Sequence, residues 1–153
     1  MREPNQILTA RDLMTTSLLV FNPEQTLLEA VEKLIKWSVS GAPVVDEDRR
    51  MVGMLSELDC LRMLASDEFY LQQQEDGALV SQFMSIGWRT IPPDLGIYAI
   101  SHYFLTSPIR RLPVVEHDKL IGQVSRRDVL RGMDEMSRKR LVRKHYPDYR
   151  EPA

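Results

Sequence analysis

Two stretches of this chain are one pattern written twice. Residues 12–45 (DLMTTSLLVFNPEQTLLEAVEKLIKWSVSGAPVV) align with residues 82–115 (QFMSIGWRTIPPDLGIYAISHYFLTSPIRRLPVV) at an offset of 70. Met14 falls on Met84, Pro23 on Pro93, and Pro43-Val44-Val45 on Pro113-Val114-Val115. One residue is then lost, after which Gly53, Ser56, Asp59, Leu61 and Arg62 fall on Gly122, Ser125, Asp128, Leu130 and Arg131. Such a repeat constrains the fold more than composition does, because each copy must be one supersecondary unit and the two must pack as related bodies. The matches gather at turns, apolar strand positions and one small polar pair, a pattern that two unrelated amphipathic helices would not produce.

Each copy reads as β-α-β-β-α. Residues 18–21 and 89–91 are short extended stretches, each closed by a proline. Residues 26–38 carry Leu27, Ala30, Val31, Leu34 and Ile35 at helical spacing, and residues 96–106 carry Ile97, Ile100, Tyr103, Phe104 and Leu105. The Pro-Val-Val segments are β-branched strands that turn through polar residues and return over 51–55 and 120–124. Gly53 and Gly122 inside the return arms predict a bulge or a close approach to the backbone. Ser56 and Ser125 stand where a helix N-cap belongs, opening helices over 57–64 and 126–133. A capping-box pattern, Thr9 to Asp12, opens a short lead-in helix to Met14, and residues 78–84 repeat it before the second copy. The chain is expected to continue as a helix over 134–145 until Pro147 stops it. The fold class is therefore α+β, with a first unit at 8–66, a polar connector at 67–77, a second unit at 78–134 and a basic C-terminal helix and tail at 135–153.

Several classes of chemistry are excluded or disfavoured. The chain has 153 residues, 43% of them hydrophobic and 27% charged, enough for a real core. Its single cysteine, Cys60, rules out an internal disulfide and reads as a small buried hydrophobe. His102, His117 and His145 have no metal-ligand spacing. No apolar run approaches the ~18 residues of a membrane span, and residues 1–14 lack a secretory signal, so a cytoplasmic location is expected. No phosphate-loop, dinucleotide or nucleophile-elbow motif is present, and the reading is of a protein that is not an enzyme.

Ser56-Glu57-Leu58-Asp59 and Ser125-Arg126-Arg127-Asp128 read in two ways. Serine with aspartate three residues on is a helix-start signal in its own right. Equally, a helix N-terminus offers free N–H groups to phosphate, and an Asp one turn in can accept both hydrogen bonds of a ribose diol. The repeated units, with Ser40-Gly41-Ala42-Pro43-Val44-Val45-Asp46, the Gly53-containing return strand and Ser-x-x-Asp in each copy, resemble a tandem pair of CBS domains, the Bateman module. The likeness covers about residues 8–134. It implies two pseudo-symmetric units packed through their sheets, a disc-like dimer formed through helix faces, and two clefts that bind adenosine compounds as regulatory ligands, with no cofactor required. Carried over residue by residue, the first cleft joins Thr16, Leu19, Val20, Val39, Ser40 and Gly41 to Ser125, Arg127 and Asp128. The second joins Ser56 and Asp59 to Ser85, Arg89, Thr90, Ile109, Arg110 and Arg111. Arg110 and Arg111 replace the small Ser40-Gly41 pair, and guanidiniums there favour a phosphorylated ligand, as Arg126 and Arg127 would at the first cleft. Trp88 and Met54 are candidates for filling one cleft.

The leading expectation is a stand-alone sensor of AMP, ADP or ATP that acts as a homodimer or through an unidentified protein partner. Charge supplies the alternative. Residues 126–153 carry nine Lys and Arg against five Asp and Glu, whereas the preceding residues carry eleven against seventeen. Arg138, Lys139, Arg140, Arg143 and Lys144 would be the contacts of a dimerising scaffold for nucleic acid or a protein. The shortage of interleaved aromatics makes a nucleic-acid partner the weaker reading, and a solvated helix end accounts for the cations as well.

Overall fold

The computed structural model describes residues 7–65 and 77–144. The chain runs through α1 (Ala10–Leu13), α2 (Leu27–Trp37), β1 (Gly41–Val45), β2 (Met51–Ser56), α3 (Glu57–Ala65), α4 (Val80–Phe83), α5 (Ile97–Thr106), β3 (Arg111–Glu116), β4 (Lys119–Ser125) and α6 (Arg126–Lys144). The two halves therefore repeat the expected unit. Helix α2 starts because the Thr26 hydroxyl accepts the Glu29 N–H at 3.2 Å, and it ends at Ser38, whose left-handed φ of 53° breaks the helical path.

Each half has a two-stranded antiparallel hairpin, β1 with β2 and β3 with β4. The register slips between Val44 and Val45 in one and between Val114 and Val115 in the other, so both hairpins carry the same bulge. The residue missing from the second copy was lost from its turn. Glu116 pairs directly with Lys119 across His117 and Asp118, whose φ values of 52° and 65° suit a tight two-residue turn. The first hairpin closes through a longer loop, in which the Asp46 carboxylate accepts the N–H groups of Asp48 and Arg50, each at 2.9 Å. The extended stretches expected at 18–21 and 89–91 contract to single parallel bridges, Phe21 to Val44 and Ile91 to Val114. Pro23 and Pro92 follow closely and have no N–H to extend a ladder.

The lead-in helices cross over. Leu8, Ala10 and Leu13 lie before the first unit in sequence but are buried in the second unit's core, with Ile97, Ile100, Leu112, Val114, Val124 and Val129. Val80 is buried in the first unit's core with Phe21, Leu27, Leu34, Val44 and Leu55. Backbone bonds fix both exchanges: Ala10 N–H to Leu95 O and Ile97 N–H to Leu8 O, each at 2.8 Å, and in the other half Val80 N–H to Gln25 O at 2.9 Å and Leu27 N–H to Ala78 O at 2.8 Å. The return-strand glycines make room for this exchange. A Cβ on Gly122 would stand 2.6 Å from Sδ of Met14, and one on Gly53 would stand 2.5 Å from Sδ of Met84. Bulge and close approach, the two expectations for these glycines, both occur.

Helix α6 runs on past the second unit as the expected continuation, while residues 66–76 and 145–153, with most of the connector and His145, lie outside the described residues. Along it Arg138 pairs with Asp134 at 3.1 Å and Lys139 with Glu135 at 2.9 Å. These exposed pairs satisfy two of the five cations of the scaffold reading within the helix itself. The side chains of Arg140, Arg143 and Lys144 lie outside those described.

Candidate ligand-binding clefts

The Ser-x-x-Asp pair is first of all a closed local structure. Asp59 is 2% exposed; its Oδ2 accepts the Ser56 N–H at 2.9 Å, and its own N–H donates to Ser56 Oγ at 3.2 Å. Asp128, 4% exposed, repeats this with Ser125 at 2.8 and 3.2 Å, and also accepts the Ser125 hydroxyl at 3.0 Å. The helix-start reading is therefore satisfied in both halves.

Each aspartate also reaches across to the opposite half. Oδ1 of Asp59 accepts the Ser85 hydroxyl at 2.9 Å, and Oδ1 of Asp128 accepts that of Thr15 at 3.4 Å. The same oxygens take bonds from Arg62 and Arg131, one turn along. Backbone pairs lie beside them: Ser85 exchanges both its bonds with Met54, and Thr15 exchanges both with Gln123. Thr15, not Thr16, thus faces Asp128. Both threonines are exposed, but extended backbone alternates sides, so Thr16 lies on the face away from Asp128. The 70-residue offset from Ser85 points to Thr15.

Two hollows flank these clasps, and the repeat relates them. The first, of about 180 Å³, is lined by Thr15, Ser17, Leu18, Leu19, Trp37, Val39, Gly41, Arg111, Gln123, Ser125, Asp128 and Arg131. The second, of about 690 Å³, is lined by Met54, Gly87, Trp88, Arg89, Thr90, Ser107, Ile109, Arg111 and Pro113. Ser17, Leu18, Leu19, Trp37, Val39 and Gly41 correspond in order to Gly87, Trp88, Arg89, Ser107, Ile109 and Arg111. The indole of Trp37 narrows the first hollow where the second has only Ser107, although Trp88, Arg89 and Arg111 are bulkier than their counterparts Leu18, Leu19 and Gly41. Trp88 and Met54 line the second hollow without filling it.

A third hollow, of about 1060 Å³, lies beside the first and shares Val39, Arg111 and Ser125 with it. Arg110, Arg111, Arg126 and Arg127 all line it, with Ser40, Glu57 and Cys60. The arginines expected at separate clefts therefore meet in one place, and Arg111 borders all three hollows.

Of the residues expected at the first cleft, Leu19, Val39, Gly41, Ser125 and Asp128 line one hollow. Ser40 and Arg127 line the arginine hollow, and Val20 lines a separate one with Asn22 and Thr26. Of those expected at the second, Arg89, Thr90, Ile109 and Arg111 come together. Arg110 joins the arginine hollow instead, and Ser56, Asp59 and Ser85 form the clasp rather than the wall. Arg89 stacks its guanidinium 4.5 Å from the Tyr103 ring centroid, which orients it. Sequence reasoning missed Thr15, Trp37 and Gln123. The signal for Gln123 was a polar residue in an apolar return strand, where the first copy has Met54.

Cys60 lines the arginine hollow, yet burial pushes its thiol up to about 11, with Asp59 and Glu57 adding to the shift. It therefore stays protonated near neutral pH and is no nucleophile there. No cluster of His, Cys, Asp and Glu among the described residues could hold a metal, and no helix among them is long and apolar enough to cross a membrane.

The family model for the CBS domain matches residues 10–66 and again residues 80–135. The chain is 32% identical over 123 residues to the CBS domain-containing protein YhcV of Bacillus subtilis, covering 79% of this chain and 82% of that one. It is 30% identical over 129 residues to the A-adding tRNA nucleotidyltransferase of Geobacter sulfurreducens, which matches 84% of this chain but only 14% of its own length. Among solved structures, CBSX2 in complex with AMP superposes with a TM-score of 0.74 at 29% identity, over 85% of this chain and 98% of that one. CBSX2 is a chloroplastic protein of Arabidopsis thaliana.

Proposed function

This chain belongs to the CBS domain family, and on that premise we propose that it is a regulatory module sensing adenosine-containing nucleotides of the AMP, ADP and ATP class, not an enzyme. The observation that carries the proposal is the clasp. Each buried aspartate that is suited to a ribose diol also holds the lead-in segment of the other half, Asp59 through Ser85 and Asp128 through Thr15. A diol arriving at either carboxylate competes with bonds that tie the halves together, so occupancy becomes relative movement of the units. The ligand shifts that equilibrium by its differential affinity for the two arrangements. AMP bound to the related CBSX2 supports the ligand class.

The arginine hollow gives the phosphates a destination. None of Arg110, Arg111, Arg126 and Arg127 has a carboxylate partner within ion-pair distance among the described residues. Arginine grips phosphate oxygens in pairs. Calorimetric titration with AMP, ADP and ATP is the test. Binding is expected to tighten with phosphate number, and Arg111→Gly, which installs the residue found at 41, is expected to weaken ATP by about tenfold or more. Absence of heat and of thermal shift with every adenosine compound would sink the reading.

Output passes through self-association or a separate partner. Leu28, Ile35, Leu61 and Leu64 are exposed on the first unit's helices, and the offset places Tyr98, Leu105, Leu130 and Met133, also exposed, on the second. Such paired apolar faces fit a two-fold dimer. Sedimentation velocity is expected to show a dimer that Ile35→Glu with Leu105→Glu converts to monomer, and a monomeric parent protein contradicts this.

A further inference from the structure

The two hollows are built on one plan, and among the wall positions where they differ in chemistry one lies on the return strand. In the second hollow this is Met54, which is apolar; in the first it is Gln123. Gln123 is 7% exposed, and its Nε2 is buried with no hydrogen-bond partner. A buried amide donor without a partner is costly and uncommon, and it calls for an explanation. The backbone supplies none, since both main-chain bonds of Gln123 go to Thr15. In the antiparallel register Gln123 lies opposite Pro113, and Ser125 opposite Arg111, which puts the carboxamide on the sheet face that carries Ser125 and Arg111. Those two residues line both the first hollow and the arginine hollow.

We infer that Gln123 reads the edge of a purine base in the first cleft and makes that cleft selective for a 6-aminopurine. The inference rests on the nucleotide-sensing reading above and deepens it. A glutamine carboxamide offers one donor and one acceptor side by side, which match a ring nitrogen and the exocyclic amine of adenine as a pair. On the edge that carries N7, a 6-oxopurine puts an acceptor in place of the amine and so loses half of that match. The hollow of about 180 Å³ suits a base rather than a whole nucleotide, because sites that enclose complete ligands of that size usually exceed about 300 Å³. With the base against Gln123, the sugar meets Ser125 and Asp128, and the phosphates lead into the arginine hollow. The second cleft, with Met54 in this place, has no such reader and tolerates either base.

The test compares AMP with inosine monophosphate by calorimetry on the full chain and on Gln123→Met, with Asp128→Ala assigning the heat to the first cleft. Methionine already occupies the equivalent position in the other half, so the variant is expected to fold. The parent protein is expected to prefer AMP by about tenfold or more, and Gln123→Met to reduce that preference to within about threefold. The ligand-free variant is expected to melt no lower than the parent, because the unpaired donor is gone. AMP binding retained with undiminished preference in Gln123→Met overturns the Gln123 assignment alone. A ligand-free variant that melts several degrees lower also overturns it, since the amide would then have a structural partner. No response to either nucleotide in the parent protein overturns the sensing reading and this inference together.

Discussion

Gly122→Val is expected to lower the stability of the ligand-free protein by about 3 kcal/mol, which for a chain of this size is a fall in melting temperature of roughly 6–12 °C. The cause is contact across the two halves. A Cβ at 122 would lie 2.6 Å from Sδ, 2.9 Å from Cγ and 3.1 Å from Cβ of Met14, so the stem of that side chain is in the way, not only its flexible tip. Met14 cannot retreat as a whole. Its N–H is bonded to Ala10 O at 2.8 Å, and the next residue is pinned to Gln123 by two backbone bonds of 2.8 and 3.0 Å. Either the methionine leaves its rotamer or the lead-in helix lifts off the second core, exposing Leu8 and Leu13, which are 5% and 8% exposed as they stand. Met14→Ala alone removes packing and is itself destabilising. Combined with Gly122→Val it is expected to recover at least half of the loss, a coupling that distant sites do not show. Gly53→Val with Met84→Ala should behave alike in the other half, where the distances are 2.5, 2.9 and 3.1 Å. Urea melts of the four proteins in each cycle decide the matter. Strict additivity of the two changes would mean that the glycines serve the bulge and not the crossing helices.

How far the sequence reveals this molecule depends on how local each feature is. The hairpins, the bulge glycines and the Ser-x-x-Asp starts follow from neighbours within a few residues, and the repeat doubles the signal for each. The length of the second turn is legible for the same reason, since one deleted residue between Val115 and Leu120 leaves His117 and Asp118 to close it. The crossing of α1 and α4 is not local. Leu8, Ala10 and Leu13 show only that a short helix has a buried side, and nothing in their spacing distinguishes the core that follows from the core of the second unit. The placing of Thr15 rather than Thr16 fails at a different level, because a one-residue slip in extended chain turns the side chain to the other face. The arginines show a third limit. Their type announces anion chemistry, but only the fold brings Arg110 and Arg111 from β3 and its approach beside Arg126 and Arg127 at the start of α6.

Asp128→Ala is expected to cost about 2–4 kcal/mol in the ligand-free protein, whereas Arg131→Ala should cost less than about 1 kcal/mol. Both substitutions break the same ion pair, so the contrast locates the energy. Asp128 is 4% exposed, and its removal strands the Ser125 N–H and hydroxyl at the start of α6 and releases Thr15 from the other half. Arg131 has a side chain 66% exposed, which returns to water when its partner is lost. Asn in place of Asp128 keeps one acceptor oxygen and should fall between the two. Because one carboxylate caps a helix and clasps the opposite lead-in segment, loss of the cap and loosening of the clasp should appear together. Hydrogen exchange is expected to quicken at the amides of Thr15 and Gln123, which pair with each other, as well as at the first turn of α6. Protection unchanged at Thr15 in Asp128→Ala would show that the clasp carries no coupling between the halves, and the route from ligand to unit movement would then have to run elsewhere.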